Sequence, residues 1–305
     1  MENKLLILLV ISLLSFGCET IVDIEVPRDP PSLVINSTLS DDEFIKVHIS
    51  QSQYILESGD YKMITGAVVE IFEEGTLVET LPDSLGGYYI SATYTPKRGK
   101  TYSIKVSKNG FETATAEVLM PLDTANILSV KMDTVRENID GYVSHYLRFS
   151  IEIKDDKAYD NFYDISVYRG GYFKRYDHSV DPPVLIDSLY SYQKLYLQSR
   201  DPSLEDFQSY GQDILFNDQL FNGSTYKMNV LSSIWIDSEY PDENQYTYFV
   251  MLRNTSNSYY LYKISSQLQY WTEEDPFAQP VTVYNNIENG FGIFGALNTA
   301  VYKVE

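Results

Sequence analysis

The chain has 305 residues, 44% of them apolar, and carries 43 Asp and Glu against 23 Lys and Arg, a formal net charge of −20. That apolar share can bury real cores and excludes global disorder, while the acidic balance repels nucleic acid and anionic lipid as partners. One cysteine and three histidines (His48, His145 and His178) exclude a disulfide framework and leave little material for a zinc site or a His-activated nucleophile.

Residues 5–16 form an unbroken apolar-to-small run behind Glu2, Asn3 and Lys4, and Gly17-Cys18 closes it. Twelve residues suit the hydrophobic region of a signal peptide and fall short of the roughly 20 that span a bilayer. A lone cysteine after a small residue at that point reads as the lipidation site of a bacterial lipoprotein. Residues 1–17 are then the signal peptide, and Cys18 becomes an acylated, palmitate-type anchor. Leu14 stands one position early for a lipobox, and Phe16 fills a place usually held by a small residue. With the thiol committed to lipid, no cysteine chemistry remains.

Residues 18–31 read as a tether, stiffened at its end by Pro30-Pro31. From there the apolar residues recur with period two. The segments 32–39, 45–54, 67–72, 77–81, 88–92, 101–106 and 113–120 read as strands, punctuated by Gly86-Gly87, Lys97-Arg98-Gly99-Lys100 and Asn109-Gly110. Seven short strands with regular turns predict an immunoglobulin-like or transthyretin-like β-sandwich over residues 32–121.

Residues 127–305 predict a second β-rich domain. Residues 146–153 alternate cleanly, with 164–168 expected as their partner across a polar turn. Further strands are expected at 225–231 and 246–253. The stretches 177–183 and 200–211 read as loops. One helix is expected at 257–271, capped by Ser256 or Asn257, with Tyr260, Ile264, Leu268 and Trp271 forming a core-facing stripe. Residues 289–295 and 299–304 read as a closing hairpin. The fold class is therefore mainly β, with a sandwich followed by a β-rich domain carrying one C-terminal helix.

No Gly-x-Ser-x-Gly elbow, no His-x-x-x-His and no singled-out carboxylate pair is present, so neither a catalytic residue nor a metal or cofactor is assigned. Asp155, Asp156, Asp160, Asn161 and Asp164 cluster, as do Asp237, Glu239, Asp242 and Glu243. Both sets read as solvated hairpin ends more readily than as calcium loops. The candidate ligand-binding residues are Tyr172, Phe173, Tyr176, Tyr190, Tyr192 and Tyr196, which lie in a loop-rich stretch beside Arg169, Lys174, Arg175 and Lys194 as a locally basic patch. For any single tyrosine, packing sideways on a strand is the readier reading.

Several short runs follow one another in a recognisable order: 30–36 (PPSLVIN), Gly86-Gly87-Tyr88-Tyr89, Gly99-Lys100-Thr101-Tyr102, Phe221-Asn222-Gly223, Tyr259-Tyr260-x-Tyr262, and Asn286-Ile287 through Phe294-Gly295. In this the chain resembles a family of Bacteroidota lipoproteins grouped as domain of unknown function 4249. The resemblance implies an outer-membrane, lipid-anchored protein encoded beside a TonB-dependent receptor, with an accessory role in nutrient uptake. It supplies no catalytic residues. Glu19 and Asp23 loosely match the acidic surface-export signal of such lipoproteins, which implies cell-surface exposure. A non-enzymatic accessory or ligand-binding role is thus the expectation. The alternatives are a structural or adhesive surface lipoprotein, and a hydrolase with an unrecognised carboxylate pair.

Overall fold

The computed structural model describes residues 29–54, 57–122, 126–139, 142–156, 159–204, 210–233, 246–272 and 277–305. Cys18, the signal peptide, most of the tether and the acidic cluster at 237–243 lie outside these residues. The protein is mainly β, with one helix among the described residues.

The first half builds β1 (Leu33–Ser40), β2 (Lys46–Gln51), β3 (Val68–Glu73), β4 (Thr76–Thr80), β5 (Tyr88–Ile90), β6 (Thr101–Ser107) and β7 (Ala114–Leu119). These strands fall on the seven alternating segments of the sequence, because alternation places every second side chain on the buried face. Leu33, Ile35 and Leu39 of β1 pack with Val47 and Ile49 of β2 against Val69, Ile71, Tyr102, Ile104 and Val106 of β3 and β6. Strands β4-β3-β6-β7 form one layer.

The second half adds β8 (Asn126–Ile139), β9 (Tyr142–Lys154), β10 (Phe162–Asp177), β11 (Val184–Lys194), β12 (Leu197–Gln198), β13 (Tyr210–Gly211), β14 (Ile214–Asn217), β15 (Thr225–Ser233), β16 (Thr247–Thr255), α1 (Asn257–Thr272) and β17 (Gly290–Lys303). Strands β13-β12-β15-β9-β8 form a five-stranded sheet. A long sheet, ordered β11-β10-β16-β17-β1-β2-β5 with β14 also paired to β10, serves both halves. The second core lies between the five-stranded sheet and the β10-β16 part of the long sheet, with Phe149, Ile151 and Val230 facing Ile165, Val167, Val250 and Leu252.

Three expectations are corrected here. Residues 146–153 do not pair with 164–168: β9 pairs with β8 and β15, and β10 lies in the other sheet, across the core. The tail is one continuous strand, not a hairpin. Its first half runs parallel to β1 (Leu33↔Gly290 to Ser40↔Leu297), and its second half runs antiparallel to β16 (Thr255↔Leu297 to Phe249↔Lys303). Gly290 and Gly292 are therefore not turn residues. A Cβ on Gly292, whose φ is +114°, would meet the Ile35 carbonyl oxygen at 2.1 Å, so the close approach to β1 requires glycine. Finally, the first core is not completed within residues 32–121. Ile287, Phe294 and Ala296 belong to it, and Phe294 is fully buried.

The helix matches its expected span. Ser256 is its cap, accepting the Tyr259 amide on Oγ at 3.2 Å. The expected stripe is buried only at its first turn: Tyr260 is buried, Ile264 and Leu268 are half-buried, and Trp271 is 51% exposed.

Candidate functional site

The tyrosine-rich stretch read as loop is a long hairpin of β10 and β11, in register from Tyr168↔Lys194 to Asp177↔Val184 with one bulge at Arg175/Tyr176. Strand β11 is the outermost strand of the long sheet, and nearly all its residues are exposed.

Register decides which candidates meet. Residues directly opposite on paired strands share a face. Tyr172 faces Tyr190, Gly170 faces Tyr192, and Tyr168 pairs with Phe249 of β16 on its other side. The result is a chain of edge-to-face rings. Tyr172–Tyr190, Tyr190–Tyr192 and Tyr192–Phe249 stand 5.2, 5.6 and 5.6 Å apart at interplanar angles of 78°, 87° and 71°. Such pairs add about 0.5–1.5 kcal/mol each beyond burial. Gly170 leaves room for them, since a Cβ there would meet the Tyr192 ring at 2.8 Å. Desolvation first, and then the Tyr192 hydroxyl, push the Tyr190 phenol up, so it stays neutral.

The other candidates lie elsewhere. Tyr176 sits at the hairpin end against His178, with ring centroids 6.3 Å apart, and Tyr196 is exposed beyond β11. Phe173 is paired in register with Leu189. Phe249, which ends the ring chain, and Val184, Leu185 and Ile186, exposed at the start of β11, were missed. The alternation of 246–253 placed a strand there but not its neighbour, and neighbours in a sheet are not written in local spacing.

The expected basic patch is corrected. Arg169 donates to Gln193 Oε1 at 2.5 Å and lies over the Tyr246 ring at 4.4 Å. Arg175 pairs with Asp187 at 2.8 Å and Lys194 with Asp213 at 2.5 Å. Arg175 and Lys194 are thus neutralised by carboxylates, while Arg169 keeps its charge against a neutral amide and a ring, so the outer strand of the hairpin presents mainly aromatic and aliphatic surface beside one cation.

Beneath the helix, the base of the hairpin joins a buried ionic network. Asp164 (1% exposed) accepts from Arg253 Nη1 at 3.3 Å and from the Tyr259 hydroxyl at 3.2 Å, while Arg253 also donates to Ser166 Oγ at 3.0 Å. Asp213 gathers Lys194, Lys263 at 3.7 Å and Arg253 at 3.8 Å. Burial, and then the charge of Asp213, push the Asp164 carboxyl up to about 6. Burial also acts on Asp213, but the Lys194 hydrogen bond and the three cations outweigh it and hold that carboxyl low. Two carboxylates with separated affinities can mark an acid–base pair. Here every partner comes from the sheet or from α1, and the arrangement fastens helix to sheet.

The first acidic cluster is also corrected: Asp155 and Asn161 are buried, not solvated. Asp155 accepts from the Tyr163 hydroxyl at 2.6 Å, from Asn161 Nδ2 at 3.2 Å and from the Gly223 amide at 2.6 Å. Asp218 accepts the Asn161 amide at 2.8 Å. The Phe221-Asn222-Gly223 turn thus closes onto Asp155, and these oxygens already serve protein donors.

The family model described as a domain of unknown function (DUF4249) matches residues 19–303. The chain belongs to this family. No curated protein matches it. The match takes in both cores and the hairpin, so the tyrosine surface and the shared strand β17 lie inside the DUF4249 region. No helix among the described residues is long and apolar enough to cross a membrane.

Proposed function

We propose that this chain is a lipid-anchored, non-enzymatic outer-membrane protein of Bacteroidota that works as an accessory to a TonB-dependent receptor. The β10–β11 hairpin is its docking surface. The observation that carries this reading is an edge strand exposed on both faces, flanked by three exposed tyrosines on one side. Tyr172 and Tyr192 are each 61% exposed, and Leu189 of β11 is 71% exposed. Soluble proteins normally blunt such edges with charge, proline or a covering element. Contiguous apolar surface, and Tyr above all, is the composition of an interface core. An outermost strand can also accept a partner strand through its unpaired backbone groups. In this reading lipidated Cys18, marked by the apolar run before it, is the anchor, and the receptor enters through the family resemblance.

The test is affinity capture of the native lipoprotein from detergent-solubilised membranes, with bound proteins identified by mass spectrometry. A TonB-dependent receptor should co-purify, and Tyr172→Ser combined with Tyr192→Ser should deplete it about tenfold or more. Recovery of no barrel protein sinks the receptor partnership. Undiminished recovery with the double variant sinks the hairpin as its surface. Cys18→Ala should move the protein out of the membrane fraction.

A further inference from the structure

Every open sheet has free edges, and among the described residues all but one of them are blunted. Strands β5 and β13 are three and two residues long, and β14 has four residues, mostly buried. Strand β4 is short and shifts register against β3, and Glu288 covers β7 by exchanging backbone hydrogen bonds with Thr115. Strand β8 is long but carries exposed Lys131 and Asp133. Shortness, bulges, cover and charge all discourage pairing with another chain. Strand β11 has 11 residues, and its only charges are Asp187, held by Arg175, and Lys194 at its end, held by Asp213. Its bulge lies near its start, so the register from Arg175↔Asp187 to Tyr168↔Lys194 is unbroken.

The ladder fixes which backbone groups are free. The Leu195 amide donates to the Val167 carbonyl at 2.9 Å, one step beyond the pair Tyr168↔Lys194 and in line with it. Bonded and non-bonded pairs alternate along an antiparallel ladder, so Asp187, Leu189, Ser191 and Gln193 bond to β10. Ser188, Tyr190 and Tyr192 turn their N–H and C=O groups the other way, to the open edge. The neighbouring ladders agree. The Val304 amide donates to the Tyr248 carbonyl, which turns Phe249 and Met251 toward Tyr168 and Ser166 and leaves the odd-numbered residues of β10 for β11. We propose that Ser188, Tyr190 and Tyr192 pair with an extended segment of the docking partner, which joins the long sheet as a further strand beside β11. This rests on the hairpin being the docking surface, and it makes backbone groups, not the rings alone, the means of recognition.

The side chains along the edge set the character of that segment. Alternation puts Ser188, Tyr190 and Tyr192 on one face and Leu189, Ser191 and Gln193 on the other. A strand laid beside them meets exposed rings on one side and Leu189, 71% exposed, on the other. That suits an uncharged segment with β-branched or aromatic residues opposite Tyr190 and Tyr192. A second copy of this chain is the poorer occupant, because two bodies of net charge −20 repel each other.

Amide hydrogen exchange, resolved to single residues by fragmentation mass spectrometry, would compare the native lipoprotein in isolated membranes with the full chain purified alone in detergent. The amides of Ser188, Tyr190 and Tyr192 should exchange at least about tenfold more slowly in membranes. Those of Leu189 and Ser191 should be slow in both preparations, which shows the hairpin intact. Ser188→Pro removes an outward donor without touching the ladder to β10, and it should abolish the membrane protection at Tyr190 and Tyr192. Ser188→Lys, which places a charge on the edge, should do the same. Equal exchange of the three amides in both preparations overturns the strand pairing, even where a receptor is captured and its capture depends on the tyrosines. Protection that appears in the purified chain and rises with its concentration assigns the edge to a second copy and overturns it too. So does protection that survives both Ser188 variants. Protection in membranes from which no barrel protein is captured supports the strand pairing and sinks only the receptor partnership.

Discussion

Asp164 shows what one buried charge does to the pH dependence of this fold. Its carboxyl titrates near 6 when folded against an ordinary value of 3.8, so the folded protein holds that proton more tightly than the unfolded chain. Its contribution to stability is fully present below 3.8 and is lost as pH rises through about 6. Asp213, held low, acts in the opposite sense: its contribution is present above 3.8 and is lost as pH falls through its folded value. Asp164→Asn cannot ionise. Its unfolding free energy relative to the native protein should therefore climb between about pH 4 and pH 7, by an amount on the order of 2–3 kcal/mol, as urea titrations at each pH would measure. A difference that stays flat with pH refutes this account. Asp155 behaves differently, because it is an acceptor first. Asp155→Ala removes the acceptor of the buried Tyr163 hydroxyl and of the Gly223 amide, a loss of about 1–3 kcal/mol or more, while Asp155→Asn keeps an acceptor and should lose clearly less in urea titrations. The sequence showed these residues as a cluster of acids. It could not show which were buried, since the donors that bury Asp155 come from positions 161, 163 and 223 and only the fold brings them there.

Elements were legible where their signals are local. The helix over 257–271 is written in its cap and its stripe, and the seven strands of the first half in alternation and turns. The hairpin of β10 and β11 was not, because Gly170-Gly171 and Pro182-Pro183 look like loop punctuation. In the fold, both glycines make room for rings: a Cβ on Gly171 would meet Tyr246 at 2.3 Å, as one on Gly170 would meet Tyr192. The prolines lie only in the connection between the strands. Ser256 shows how far a legible residue can reach beyond its element. Its Oγ accepts both the Tyr259 amide of α1 and, at 3.1 Å, the buried Ala296 amide of β17. A capping serine alone contributes about 0.5–2 kcal/mol. Ser256→Ala should cost more than that, roughly 2–4 kcal/mol, because it also leaves Ala296 without its acceptor. Equilibrium unfolding measures the loss, and a cost below 1 kcal/mol would show that the helix cap carries the whole effect.

At the scale of the molecule, the two packed cores are joined by β17. Its first eight residues lie along β1 and place Phe294 and Ala296 in the first core, while its last seven lie along β16 and lead to Val304 in the second. Asn298, fully buried where the strand changes partners, donates to the Pro121 carbonyl at the end of the first half. Just before the strand, Asn286 closes onto Phe294 in both directions, donating to its carbonyl and accepting its amide, each at 2.9 Å. Thr115 and Glu288 exchange backbone hydrogen bonds across to β7. A sandwich that takes its last strand from the far end of the chain cannot be complete when only its own half has been made. Residues 29–122 alone should therefore lack a cooperative thermal transition, and a peptide of residues 279–305 added in trans should restore one by supplying Ile287, Phe294 and Ala296. In the full chain, hydrogen exchange should open the amides of β1 and β16 together, because both lean on β17. A fragment of residues 29–122 that melts cooperatively without the peptide would make the two halves independent and reduce β17 to a surface addition.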